Sequence, residues 1–142
     1  MSYTSQDELT KRYGTPMLLD LTDRASPPAG TIDSDVVTEA LVNADAAIDG
    51  YLLGRYILPL STTPPLLKDL AQAIAIYKLH RNSVPDMTAS DYASALATLK
   101  LIASGTVRLN VAGVEPTASS ATGVRTTDRD KPLTSDSLRG FI

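Results

Sequence analysis

Apolar residues recur every three or four positions through three long segments of this chain, and each segment is bounded by residues that start or stop helices. In "SDVVTEALVNADAAIDGYLLGRY", Val37, Leu41, Ala44, Ile48, Tyr51 and Arg55 keep helical spacing, while Glu39, Asn43, Asp45 and Asp49 fall on the other side. Ser34 stands where an N-cap belongs, and Pro59 closes the segment. In "LLKDLAQAIAIYKLHRN", Leu67, Leu70, Ile74 and Tyr77 form one stripe, and Ala73 and Ile76 widen it around the helix. The small residues Ala71, Ala73 and Ala75 would let neighbours approach closely. This segment is therefore expected to be a central helix packed on more than one side. Pro64 and Pro65 suit its start, where first-turn N–H groups have no intrahelical partner.

The third segment is "TASDYASALATLKLIASG". Tyr92, Ala95, Leu96, Leu99, Ile102 and Ala103 predict its buried stripe, Thr88 its N-cap and Gly105 its C-cap. Two shorter helical turns precede all of this. One runs from a cap at Thr4 or Ser5 to Tyr13 and ends at Gly14 and Pro16; the other lies in "MLLDLTD". "TVRLNV" alternates apolar and polar residues and could form a short strand. The fold class expected is all-α: a compact bundle of about four to five helices over residues 1–105. Residues 106–142 would then hold the short strand and an extended C-terminal arm.

That arm is where the apolar pattern fails and then returns. "AGVEPTASSATGVRTTDRD" offers too little apolar area to offset the entropy of ordering it. Yet the chain ends "LTSDSLRGFI", with Leu138, Phe141 and Ile142 around Arg139, and Phe141 is its only phenylalanine. Such residues serve either as anchors on a partner or as a fold-back onto the chain's own helices. The anchor reading makes Leu138, Arg139, Phe141 and Ile142 docking residues.

Composition narrows the function classes. No apolar run approaches the roughly 18 residues of a membrane span, and the N-terminus lacks the apolar block of a secretory signal, so no membrane role is expected. The chain has no cysteine, which removes disulfides and thiolate metal sites. Nine of the sixteen acids but only three of the thirteen bases lie in residues 1–50, an asymmetry that suits contacts between copies. His80, the only histidine, sits near the end of the central helix without an oriented catalytic partner. The loop after Asp23 places Ala25 and Pro27 where a calcium loop needs oxygen ligands, and no phosphate-binding glycine loop occurs. Asp45 and Asp49, four apart, have no third ligand in register. They read as an exposed or subunit-facing acidic strip. No enzyme, cofactor or metal is expected. A DNA-reading helix should be basic, and the segment from Thr88 to Ser104 carries Lys100 against Asp91.

Taken together, "AAIDGYLLGRYILPL", "PPLLKDLAQAIAIYKLHRN" and the terminal "SDSLRGF" resemble the Mu-like phage family of small neck proteins, once treated as a phage domain of unknown function. "YTSQDELTKRYG" and "LTDR" fit it too, so the resemblance is collinear over nearly the whole chain. It implies a virion protein of the head–tail junction, assembled in the host cytoplasm. Such a protein forms an adaptor ring, typically dodecameric, between the portal and the tail-proximal neck proteins, and touches packaged DNA only in passing and without specificity; in such a ring Asp45 and Asp49 would lie at the subunit interface or line the channel. Relatives often have an acidic, glycine-rich loop where this chain has "RASPPAG", so no metal-binding idea carries over. A tail-completion or stopper protein is the alternative within the same class. A small helical DNA-binding regulator is the alternative from another.

Overall fold

The computed structural model describes residues 2–111, and among them five helices and no strand. The helices are α1 (Gln6–Tyr13), α2 (Thr15–Thr22), α3 (Ser34–Leu52), α4 (Pro65–Leu79) and α5 (Asp86–Ser104). The all-α expectation holds. The terminal residues Leu138, Arg139, Phe141 and Ile142 lie outside the described residues.

Helix α4 occupies the centre. Its residues Ala71 to Ile76 are buried without interruption, so over this stretch the helix has no solvent face. Helices α3 and α5 both pack on it and also touch each other. The alanines at 71, 73 and 75 let these neighbours come close, and Leu67, Leu70, Ile74, Ile76 and Leu79 fill the space between. Each large side chain buried here contributes about 1.5–3 kcal/mol relative to exposure. Helix α3 supplies Val37, Leu41, Ala44, Ile48 and Leu52, and α5 supplies Ala95, Leu99 and Ile102. Tyr77 of α4 and Tyr92 of α5 stack with ring centroids 3.9 Å apart. Ala103, expected in the α5 stripe, is exposed.

Several helix ends differ from expectation. Ser5 does cap α1, accepting the Glu8 N–H at 3.4 Å. For α3 the cap is Asp33, whose Oδ1 accepts the N–H groups of Asp35 and Val36 at 3.0 and 3.3 Å; Ser34 is the first helical residue. Aspartate and serine are near-equal caps, so adjacent candidates compete on local geometry. Helix α5 starts at Asp86 behind Pro85, two residues before Thr88, because proline's fixed φ already fits a helix entry. The loop after α2 is closed by Asp23, whose carboxylate accepts the Ala29 and Gly30 N–H groups at 3.0 and 2.7 Å.

The short strand expected in residues 106–111 does not form. Its alternation is nevertheless physical: Leu109 and Val111 are buried, while Arg108 and Asn110 are exposed. An extended segment with one covered side shows this period whether a sheet or helices cover it. Here helices cover it, and the Leu109 N–H donates to the buried Tyr56 hydroxyl at 3.1 Å. The packed body therefore continues past the end of α5.

Gly105 ends α5 in the left-handed region, with φ of 81°. A Cβ built there would lie 2.2 Å from the Arg55 guanidinium carbon, the end of a flexible side chain that can shift, so it is the backbone conformation that calls for glycine. Gly105→Ala should cost about 1–2 kcal/mol, since the left-handed penalty alone is of that order, visible as a lower midpoint in urea. Ile74 is fully buried. Ile74→Ala should cost about 2–5 kcal/mol through the cavity left behind. Ile74→Asp should abolish cooperative thermal unfolding, because it buries an unpaired carboxylate. An unchanged melting transition in Ile74→Asp would show that α4 is not the centre of the core.

Candidate functional site

Asp45 and Asp49 project from α3 toward the N-terminal segment. Asp45 Oδ1 accepts the backbone N–H of Tyr3 at 3.0 Å, and Asp49 Oδ1 accepts the Tyr3 hydroxyl. Tyr3 itself is buried. Asp45 retains only 9% exposure, which corrects the expectation of an exposed acidic strip at that residue. The two carboxylates act as one clamp: their four-residue spacing lets α3 hold both the main chain and the side chain of a single tyrosine.

A polar seam continues from the clamp. Thr4 donates its hydroxyl to Glu8 at 2.9 Å and accepts from the Gln72 amide at 3.3 Å. Lys68 pairs with Glu8 at 2.5 Å; Arg12 pairs with Asp69 and donates to Gln72 Oε1 at 2.9 Å. Gln72 is the buried polar side chain of α4, and these contacts satisfy it.

Burial pushes the Asp45 carboxyl up, against the lowering effect of the Tyr3 N–H. Burial likewise pushes the Tyr3 phenol up, aided by its bond to Asp49. Glu8 is held below the usual carboxylate range, first by the Lys68 ammonium and then by Thr4. These shifts act on stability in opposite senses. A raised Asp45 makes the folded state bind more protons, so its contribution falls as pH rises from the ordinary 3.8 through the raised value. A lowered Glu8 contributes above its ordinary value of 4.5 and loses that contribution as pH falls through the lowered one.

Next to the clamp, the outer face of α3 carries an apolar stripe that the sequence pattern did not single out. Val42 is 59% exposed and Leu53 68% exposed. Eleven residues make about three helical turns, so the two share a face. Ala46 and Asp49 lie between them on that face, and Leu53 keeps helical geometry as the C-cap. Ile57, four residues further, is 70% exposed. Beside this stripe runs a groove of about 410 Å³ lined by Ser2, Thr38, Leu41, Val42, Asp45, Ala46 and Asp49. The result is an outward apolar stripe interrupted by one carboxylate. Within "YLLGRYILPL" the same four-residue step sorts inside from outside: Leu52, Tyr56 and Leu60 are buried, Leu53 and Ile57 are not.

A second cleft, about 360 Å³, lies at the end of α4 and is lined by Asp20, Arg24, His80, Arg81, Asn82 and Ser83 among others. Two of its polar groups already have backbone partners: Arg24 donates to the Leu79 carbonyl at 3.3 Å, and His80 Nδ1 bonds the Ile76 carbonyl at 2.8 Å. His80 thus ties off the end of α4. Among the described residues no three His, Cys, Asp or Glu side chains gather as metal ligands, and no helix is long and apolar enough to cross a membrane.

With this geometry in view, comparison with known proteins is decisive about ancestry. The sequence profile of the family described as Bacteriophage Mu, Gp36 matches residues 3–128. The chain belongs to this phage family. It is 33% identical over 140 residues to the Mu-like prophage FluMu protein gp36 of Haemophilus influenzae, covering 99% of this chain and 98% of that one. It is 29% identical over 142 residues to gene product J of Escherichia phage Mu, covering the whole of both. The resemblance to Mu-like phage proteins therefore runs along the full length of the chain.

The clamp generates a test. Asp45→Ala should cost about 1–3 kcal/mol, because it leaves the buried Tyr3 N–H without an acceptor. Asp45→Asn keeps an acceptor oxygen and should stay within about 1 kcal/mol of the parent. The Asn variant should also lose the decline in stability that Asp45 imposes as pH rises above 3.8. Denaturation midpoints between pH 4 and 7, on the order of the carboxylate range, would check both. Equal losses in Ala and Asn would mean that the charge, not the acceptor, holds Tyr3.

Proposed function

We propose that this Gp36-family protein is an adaptor subunit of the phage head–tail junction. Copies would assemble into a ring between the portal and the tail-proximal neck proteins. Support comes from the resemblance of "AAIDGYLLGRYILPL" and the terminal "SDSLRGF" to small phage neck proteins, and from the phage origin of the full-length relatives in phage Mu and a Mu-like prophage. The observation that carries the reading furthest is the outward stripe of α3. Val42, Leu53 and Ile57 remain exposed although the core around α4 is complete without them. Apolar side chains in contiguous exposed patches mark interaction surfaces more often than accident. No catalytic step enters this reading.

A tail-completion or stopper protein would use the same surface with a different neighbour. A DNA-binding regulator is less well supported. Exposed α5 carries Asp86 and Asp91 against Lys100, which is the wrong balance for a helix that must meet phosphates. A salt titration of duplex binding separates that option, since a regulator binds with a steep salt slope.

The C-terminal arm enters as a docking element. Leu138 and Phe141 would each contribute about 1.5–3 kcal/mol if buried, whereas ordering the tether opposes this by roughly 1–2 kcal/mol per residue fixed. A single arm therefore binds weakly, and a ring that presents many arms gains through effective concentration.

Sizing the purified chain with and without portal protein tests the reading. A closed oligomer alone or on the portal is expected; a monomer under both conditions overturns the adaptor ring. Deleting residues 133–142, or changing Leu138 and Phe141 to Ser, should leave helicity and melting temperature nearly unchanged. The same changes should prevent heads from joining tails. Normal particle yield from the truncated protein would remove the arm from assembly, and failure to fold would return it to the core.

A further inference from the structure

We infer that the outward stripe of α3 is the dock for the terminal segment, residues 133–142, of a neighbouring copy. This rests on the adaptor-ring reading and names the two surfaces that would make its repeating contact. The stripe presents Val42, Ala46 and Leu53, with Asp49 set among them. The segment presents Leu138, Phe141 and Ile142, with Arg139 set among them. In the segment the apolar residues stand at i, i+3 and i+4, the spacing that lays one side of a short helical turn against a groove.

Charge decides the fit. An apolar peptide covering the stripe would strip water from the Asp49 carboxylate, which spends one oxygen on the Tyr3 hydroxyl. Arg139 meets that demand, because a guanidinium can bridge to a carboxylate that is already hydrogen-bonded. A purely apolar partner would leave the carboxylate unpaired, and an acidic one would be repelled. The stripe selects an apolar segment with one cation at its middle.

Reach permits the contact. The chain leaves the described residues at Val111, two residues past Leu109, whose N–H donates to the hydroxyl of Tyr56, three positions beyond Leu53 in sequence. Between Val111 and Leu138 lie enough residues to span tens of ångströms when extended, at roughly 3.3–3.6 Å each. Docking on the same chain would order the same tether and join no subunits. Between neighbours in a closed ring the contact repeats at every subunit, and each is reinforced by the others. Each copy then offers a different surface to each neighbour, a head-to-tail arrangement that closes into a ring.

The chain has no cysteine of its own, so engineered ones report proximity cleanly. Full-length Ala46→Cys and a size-tagged full-length Ser137→Cys, mixed under mild oxidation with the portal present and absent, should give a mixed disulfide dimer. Its yield should fall at least tenfold when Phe141→Ser is added to the tagged chain, and severalfold when Asp49→Asn is added to the other. Ser90→Cys, exposed on α5, serves as the control for random collision. A yield from Ala46→Cys no higher than from the control overturns the dock. A doubly substituted Ala46→Cys, Ser137→Cys chain that closes only on itself at every concentration also overturns it, in favour of same-chain docking. Sizing reports on the ring separately. Rings that form without the cross-link reject the dock alone, whereas cross-linked pairs without rings reject the adaptor reading and leave the dock standing.

Discussion

Seven successive residues of α4, Leu70 to Ile76, are buried, and most of the rest of the described structure is arranged to keep them so. A helix buried all round has no polar face to give to solvent, so elements must approach from every side. Helices α3 and α5 do so through their apolar stripes, and the alanines of α4 set how close they come. Gln72 falls inside this stretch and cannot be hydrated. Its amide must find partners in the protein, and Thr4 and Arg12 supply them. The position of the N-terminal segment follows from a polar group caught in an apolar helix. Tyr3, seated beside Thr4, then needs acceptors of its own, and α3 provides Asp45 and Asp49.

The long helices were legible because their stripes are strong and local. Leu67, Leu70 and Ile74 announce α4, and Gly105 announces the end of α5, with no information from elsewhere in the chain. The alanines at 71, 73 and 75 even indicated that α4 would be central. What could not be read depends on distant partners. Asp45 sits at the margin of the apolar stripe of α3, and only the arrival of Tyr3, forty-two residues away, turns it into a buried acceptor. The segment at residues 106–111 shows a true alternation, but the period says that one side is covered and not what covers it. The outward stripe of α3 was overlooked for another reason. Val37, Leu41, Ala44 and Ile48 make so strong an inner stripe that Val42 and Leu53 read as background, although their eleven-residue separation was a signal in itself. Leu138, Arg139, Phe141 and Ile142 lie outside the described residues, and their pattern poses only a question about a partner.

Helix α3 thus carries two kinds of work on one cylinder. Its inner side packs on α4, its flank clamps Tyr3, and its outer side is apolar with nothing in the described chain to cover it. Such a division is costly for a free subunit, which must keep Val42, Leu53 and Ile57 in water. It is economical for a subunit with neighbours, because the same residues that destabilise contact with solvent favour association. The acidic bias of the first fifty residues and the basic bias of the remainder act in the same direction, since opposite charge between copies aids orientation more than affinity.

Asp49 joins these functions in one side chain. Its carboxylate accepts the Tyr3 hydroxyl on one side and lies within the outward stripe on the other. Anything that covers the stripe also dries Asp49, and drying strengthens whatever hydrogen bonds the carboxylate still makes. Under the proposed docking, a partner that brings a cation would pair the dried carboxylate, while one that brings none would leave a buried charge unpaired. Partner choice at the surface would in this way be linked to the seating of the N-terminal segment, and through Thr4 and Gln72 to the helix at the centre of the fold. The coupling needs no movement of α3. It requires only that one carboxylate be shared between the inside of the protein and its edge.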